Sequence, residues 1–135
     1  MKISQEALSY ITLFENISRA KIKDCLAEGE NLIFIVEEGN VKKALGPNNK
    51  NLHKIERMTK KQVKIYGFSS EPVKFIKNLL YPIRVDEVEI VGKILKIIAS
   101  DSRAKGKIFG RERENLKRLT QIVKKYFDIE EIKVL

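Results

Sequence analysis

Apolar residues near the start of the chain recur at spacings of three and four. Ala7, Ile11, Phe14 and Ile17 form one face, which predicts a helix over about residues 4–18 with Ser4 as its N-cap. The next two apolar segments, residues 21–26 and 32–36, are of strand length. They flank Glu28-Gly29-Glu30-Asn31, so a hairpin is expected. Beyond Glu37-Glu38-Gly39-Asn40, residues 41–45 suit a single helical turn. A glycine loop follows, then a helix over about 50–60 expected to bury Leu52, Ile55 and Met58 or Thr59, then an alternating strand over 62–66.

The same order then recurs. Gly67-Phe68-Ser69-Ser70 reads as a boundary between units at 1–68 and 69–135. Pro72 opens a helix carrying Val73, Ile76, Leu79 and Leu80, and Pro82 requires that helix to end by Tyr81. Strands over about 85–91 and 93–99 flank Gly92. A short helix over about 103–108, a second glycine loop, a helix to about 126 and a strand over 132–135 complete the chain. Each half therefore reads α-β-β-α-α-β.

The two glycine loops align residue by residue. Leu45-Gly46-Pro47-Asn48-Asn49-Lys50-Asn51-Leu52 matches Phe109-Gly110-Arg111-Glu112-Arg113-Glu114-Asn115-Leu116 at an offset of 64 positions. At the same offset Ile33 meets Ile97, Lys43 meets Lys107, Lys60-Lys61 meets Lys124-Lys125 and Ile65 meets Ile129. A period this long is a small domain used twice rather than a solenoid unit. Each half is near the lower size limit for independent folding, so a compact pair is expected.

Charge sharpens this picture. With 27 Lys+Arg against 18 Asp+Glu the formal net charge is +9, which favours polyanionic partners. The cations gather at the loops: Lys42, Lys43, Lys50, Lys54, Arg57, Lys60 and Lys61 in one half, and Arg103, Lys105, Lys107, Arg111, Arg113, Lys117 and Arg118 in the other. The single cysteine, Cys25, offers no disulfide and fits a reducing compartment. No apolar run reaches membrane-spanning length and no N-terminal secretory pattern appears, so a cytoplasmic protein without membrane contact is expected. One histidine and one cysteine make no nucleophilic triad, and neither metal-ligand spacing nor a nucleotide phosphate loop is present. An enzyme, a cofactor and a small-molecule substrate are therefore not expected.

A glycine loop between two helices after a hairpin resembles a type II KH unit, whose GxxG loop clamps about four nucleotides of a single strand. The pattern common in such loops is I-G-x-G-G-x-N-I, and residues 45–52 depart from it at two positions. Asn48 and Asn49 stand where glycines are usual, and asparagine is the side chain that best tolerates positive φ. In the second loop Glu112 and Arg113 stand at those positions, a larger departure. Two tandem units of this kind resemble the archaeal NusA-like transcription factors. The likeness extends to Leu13-Phe14-Glu15, Asp24-Cys25 and Glu37-Glu38-Gly39. It implies an α+β fold of two tandem type II KH units, single-stranded RNA (nascent transcript) as ligand, RNA polymerase as a candidate partner, and a role in transcription elongation or termination.

On that reading Gly46, with no Cβ, lets a phosphate approach the loop backbone formed with Pro47, Asn48 and Asn49, while Lys43, Lys50 and Lys54 supply counter-charge. Val41 and Leu45 would meet base faces, and His53 is either a solvated helical position or a base contact. In the second unit Gly110, Arg111, Arg113, Lys107, Lys117 and Arg118 are the counterparts. Blander readings stand beside these. Gly46 and Gly110 would serve equally as helix-joining turns. Cys25, Phe14, Phe34, Phe75 and Phe127 read as core, and Phe109 reads as either packing or a base contact. A KH protein of translation or RNA processing, and a protein-interaction module whose loops no longer hold RNA, are the alternatives. A phosphate clamp alone does not distinguish RNA from single-stranded DNA.

Overall fold

A computed structural model describes residues 4–135 and divides the chain into two compact units, the first ending at Ser69 and the second running from Ser70 to Leu135. In the first unit α1 spans Gln5–Ser18, β1 Ile22–Glu28, β2 Asn31–Val36, α2 Val41–Leu45, α3 Lys50–Thr59 and β3 Gln62–Gly67. In the second α4 spans Pro72–Leu80, β4 Glu87–Val91, β5 Ile94–Ile98, α5 Ser102–Phe109, α6 Glu114–Tyr126 and β6 Glu131–Val134. The fold is α+β, with the order α-β-β-α-α-β in both units, as the hydrophobic pattern suggests.

Each unit holds one three-stranded sheet with the middle strand of the sequence order at its centre. β1 pairs antiparallel with β2, and β2 pairs parallel with β3. β4 with β5 and β5 with β6 repeat the arrangement. The parallel pairing needs a crossover, which α2–α3 and α5–α6 provide. The glycine loops lie within these crossovers, so the sheet fixes both ends of each loop-bearing helix pair.

Ser4 caps α1 as expected, its hydroxyl oxygen accepting from the Ala7 N–H at 3.1 Å. Ala7, Ile11 and Phe14 are buried on that helix, Ile17 packs half-buried against the same core, and Ser18 is buried beside them. The Ser18 hydroxyl donates to the Phe14 carbonyl at 2.8 Å and accepts from the Ala20 N–H at 3.1 Å, so a polar side chain is satisfied inside. Phe14 lies 4.6 Å from Phe34 between ring centroids in a core completed by Leu32, Val36, Ala44, Ile55 and Val63. Ile55 anchors α3, and of the two alternatives Met58 is 54% exposed while Thr59 takes the half-buried place. Cys25 is a core residue. Burial above all, with the charges of Asp24 and Glu6 adding, pushes its thiol up to about 12, which leaves it unreactive.

The second core gathers Ile76, Leu80, Leu95, Ile97, Ile108, Leu119 and Val123. α4 stops at Leu80, and Tyr81 turns to extended backbone ahead of Pro82. The first hairpin has a tighter turn than its turn residues suggested, whereas in the second Lys93 leaves the expected strand and joins Gly92 in the turn. Glu28 pairs with Asn31 and Val91 with Ile94, so Glu28, Asn31 and Val91 belong to the ladders and only two residues make each turn. β4 begins at Glu87 rather than Val85, because Asp86 does a different job: its carboxylate accepts from the Ser100 N–H at 2.8 Å and clips the open end of the hairpin. No helix among the described residues is long and apolar enough to cross a membrane.

The Ser100 side-chain and backbone hydrogen bonds lower the Asp86 pKa below its ordinary 3.8. A folded-state pKa lowered in this way contributes stability above the unfolded value, and that contribution is lost as pH falls through the folded value. Asp86→Ala should therefore lower the melting temperature at pH 7. The gap from wild type should narrow as pH falls below about 4, as thermal melts followed by circular dichroism across pH would show.

Candidate nucleic-acid interface

Both loops are built on a backbone conformation that glycine alone populates readily. Gly46 has φ 75° and ψ 171°, and Gly110 has φ 70° and ψ 177°. Two left-handed residues follow in each case: Asn48 (φ 53°, ψ 33°) and Asn49 (φ 58°, ψ 29°) in the first loop, Glu112 (φ 53°, ψ 29°) and Arg113 (φ 63°, ψ 19°) in the second. The two loops share one path despite different side chains. Asparagine accepts left-handed geometry with little strain, whereas glutamate and arginine carry the ordinary cost of about 1–2 kcal/mol per residue.

An asparagine in the first turn of the following helix closes each loop. Asn51 Nδ2 donates to the Lys43 carbonyl oxygen at 3.1 Å, and Asn115 Nδ2 donates to the Lys107 carbonyl oxygen at 3.1 Å. The amide passes directly under the glycine. A Cβ at Gly46 would fall 2.7 Å from Asn51 Nδ2 and 2.8 Å from its Cγ, and one at Gly110 would fall 2.6 Å from Asn115 Cγ. Glycine is thus required twice over, for its dihedrals and for the space the asparagine occupies. Neither asparagine was among the residues singled out from sequence. The signal was their coincidence at the repeat offset.

The surroundings of the first loop are positive and open. Lys42, Lys43, Lys50 and Lys54 are exposed, and none of them has an acidic partner within ion-pair distance among the described residues. α3 has no acidic residue in its first turn and no side-chain N-cap bond, so the positive end of its dipole is uncompensated. A groove of about 750 Å³ runs beside the loop and brings together Lys43, Leu45, Gly46, Pro47 and Asn49, with Ser18, Lys42 and Asn51 added to the residues expected from sequence. Asn48, Lys50, His53 and Lys54 are exposed but do not line this groove, and Val41 is half-buried against the first core.

The second loop is the same frame with different electrostatics. Glu114 lies in the first turn of α6 and Glu112 in the loop, each offsetting the helix dipole. Lys107, Arg111, Arg113 and Lys117 are exposed. The Arg113 guanidinium lies 5.3 Å from the centre of the Phe109 ring, and Arg118 Nη1 donates to Asn115 Oδ1 at 3.4 Å.

Such a molecule is a duplicated α+β protein whose repeated feature is a basic, asparagine-closed glycine loop at a helix N-terminus. A protein of Methanocaldococcus jannaschii named probable transcription termination protein NusA is 33% identical over 138 residues, covering 100% of this chain and 75% of that protein. The chain belongs to the archaeal NusA-like family. Proteins of the same name from Halococcus morrhuae (27% identity, 98% of this chain and 96% of that one) and Methanococcus vannielii (25%, 100% and 80%) are also similar. The crystal structure of APE1850 shares the fold, with a TM-score of 0.77 at 24% identity over 98% of this chain and 100% of that one. No protein-family model matches the chain.

Because the asparagine amide occupies the space of the missing Cβ, the two positions should be coupled. Gly46→Ala should cost about 1–3 kcal/mol from backbone strain, and more through expulsion of the Asn51 amide. Asn51→Ala alone should cost about 0.5–1.5 kcal/mol. In the double variant the two penalties should sum to more than the observed loss, which urea denaturation of the four proteins would measure.

Proposed function

We propose that this protein binds single-stranded RNA through its glycine loops, as a pair of type II KH units, and acts on the nascent transcript in transcription elongation or termination. One observation carries the reading: the first loop is held open by Asn51 at an uncompensated helix N-terminus, in a groove edged by Lys42 and Lys43, which have no acidic partner among the described residues. The exposed backbone of Pro47, Asn48 and Asn49 meets a phosphate, Gly46 leaves room for the Asn51 amide that holds this path rather than for the ligand itself, and the α3 dipole adds partial positive charge. Lys43, Lys50 and Lys54 neutralise neighbouring phosphates without reading sequence. Leu45 offers an apolar edge to a base.

Support for the transcription role comes from the family, whose members named above carry the name of a probable transcription termination protein. In this reading the cation-rich surface takes the strand, and RNA polymerase is a further partner. The first loop is the stronger phosphate site, because nothing acidic stands at the N-terminus of α3 while Glu112 and Glu114 stand at that of α6.

Titration of a fluorescent random-sequence single-stranded RNA at two salt concentrations tests the reading. Wild type should bind with an affinity that falls as salt rises. The pair Asn48→Asp and Asn49→Asp keeps side-chain shape and tolerance of left-handed backbone while bringing two negative charges to the loop. It should weaken binding by about tenfold or more with an unchanged melting temperature. Gly46→Asp should abolish binding, and Gly110→Asp should weaken it less. Salt-insensitive binding, or wild-type affinity in the Asn48→Asp, Asn49→Asp variant, would contradict the clamp and favour a protein-docking surface.

A further inference from the structure

The repeat supplies an internal comparison, because the two loops share dihedrals within about 10° while differing in side chain. Two differences fall together in space. Leu45 of the first loop becomes Phe109 in the second, and Asn49 becomes Arg113. In the second unit these two side chains meet, with the Arg113 guanidinium 5.3 Å from the ring centre of a half-buried Phe109. Arg113 is exposed, holds left-handed backbone, and has no acidic partner within ion-pair distance among the described residues. Its planar cation therefore rests on an aromatic face rather than on a carboxylate.

We infer that Phe109 and Arg113 form a nucleobase slot peculiar to the second unit, in which an unstacked base of a single strand lies on the Phe109 ring and Arg113 closes over it. The inference rests on the proposed binding of single-stranded RNA and assigns to the second loop a mode the first cannot have. Unstacked bases are taken up by stacking on aromatic rings and on arginine guanidinium planes, and this slot presents both. Magnitudes favour the exchange. An exposed guanidinium–ring contact is worth about two- to fivefold, whereas a base stacked on an aromatic side chain is worth about fivefold to 150-fold. A base entering the slot displaces the weaker contact, and Arg113 regains a planar partner on the outer face of that base. Where Glu112 and Glu114 weaken phosphate capture, stacking provides an attraction that negative charge does not oppose. The first unit, with Leu45 and Asn49 at these positions, has neither an aromatic ring nor a guanidinium there and reads backbone more than base.

The test uses the full chain and a short oligouridine carrying one 2-aminopurine, whose fluorescence falls on stacking, with a separate end label reporting affinity by anisotropy. Two variants import the side chains of the first loop: Phe109→Leu and Arg113→Asn. Wild type should bind and quench the 2-aminopurine. Phe109→Leu should remove the quench and weaken binding about fivefold or more with the salt slope unchanged, because no charge is lost. Arg113→Asn lies at the surface and keeps left-handed geometry, so it should fold as wild type. It should lose part of the quench and weaken binding about twofold or more. If wild type binds and both variants bind and quench like it, the slot is overturned while the RNA reading stands. If wild type does not bind the oligonucleotide at all, the RNA reading fails and the slot fails with it.

Discussion

An asparagine amide held beneath a glycine is the constraint on which this molecule's surface depends. Asn51 reaches back to the Lys43 carbonyl and Asn115 to the Lys107 carbonyl, so each helix pair is joined at a fixed angle across a loop of a few residues. The last turn of the first helix leaves carbonyl groups without helical partners, and the asparagine satisfies one of them from the next helix. The amide occupies the volume a Cβ would need, and the glycine dihedrals lie where other residues are strained. Loop path, exposure of the following helix N-terminus and placement of the flanking lysines follow from that bond. The sheet carries the rest, since its parallel pairing requires a crossover and the crossover carries the loop.

Duplication separates frame from chemistry. Both loops hold the same path, yet the first fills its left-handed positions with asparagines and the second with Glu112 and Arg113. The first surface is positive, open and edged by a groove. The second has acids at the helix N-terminus and spends an arginine on an aromatic ring. One backbone solution thus carries two different surfaces, one offering main-chain groups and an uncompensated helix dipole, the other an arginine packed on an aromatic ring.

Most of the fold was legible because apolar periodicity and turn residues agree along the chain. Ala7, Ile11 and Phe14 marked α1, Pro82 ended α4, and the glycine loops announced the repeat. Periodicity left gaps where a polar group found an internal partner or where two neighbours competed for one buried place. Ser18 enters the first core through two hydrogen bonds, while Met58 stays outside because Ile55 already anchors a short helix. The loop residues were legible as types at a spacing, but the closing bonds of Asn51 and Asn115 were not. A side chain reaching eight residues back leaves no periodic trace, and only its recurrence in the second unit hinted at a role. The meeting of Phe109 with Arg113 was hidden for a related reason: it depends on Arg113 adopting backbone that arginine disfavours.

The most direct measurement of the central claim is the amide chemical-shift response of the isotope-labelled protein as unlabelled single-stranded RNA is added. If the first loop takes a phosphate on its main chain, the largest shifts will fall on the amides of Gly46 to Leu52, Pro47 having none, with smaller ones on the lysine-bearing turns beside them. Shifts absent from that stretch and gathered on a surface away from both glycine loops would contradict the account.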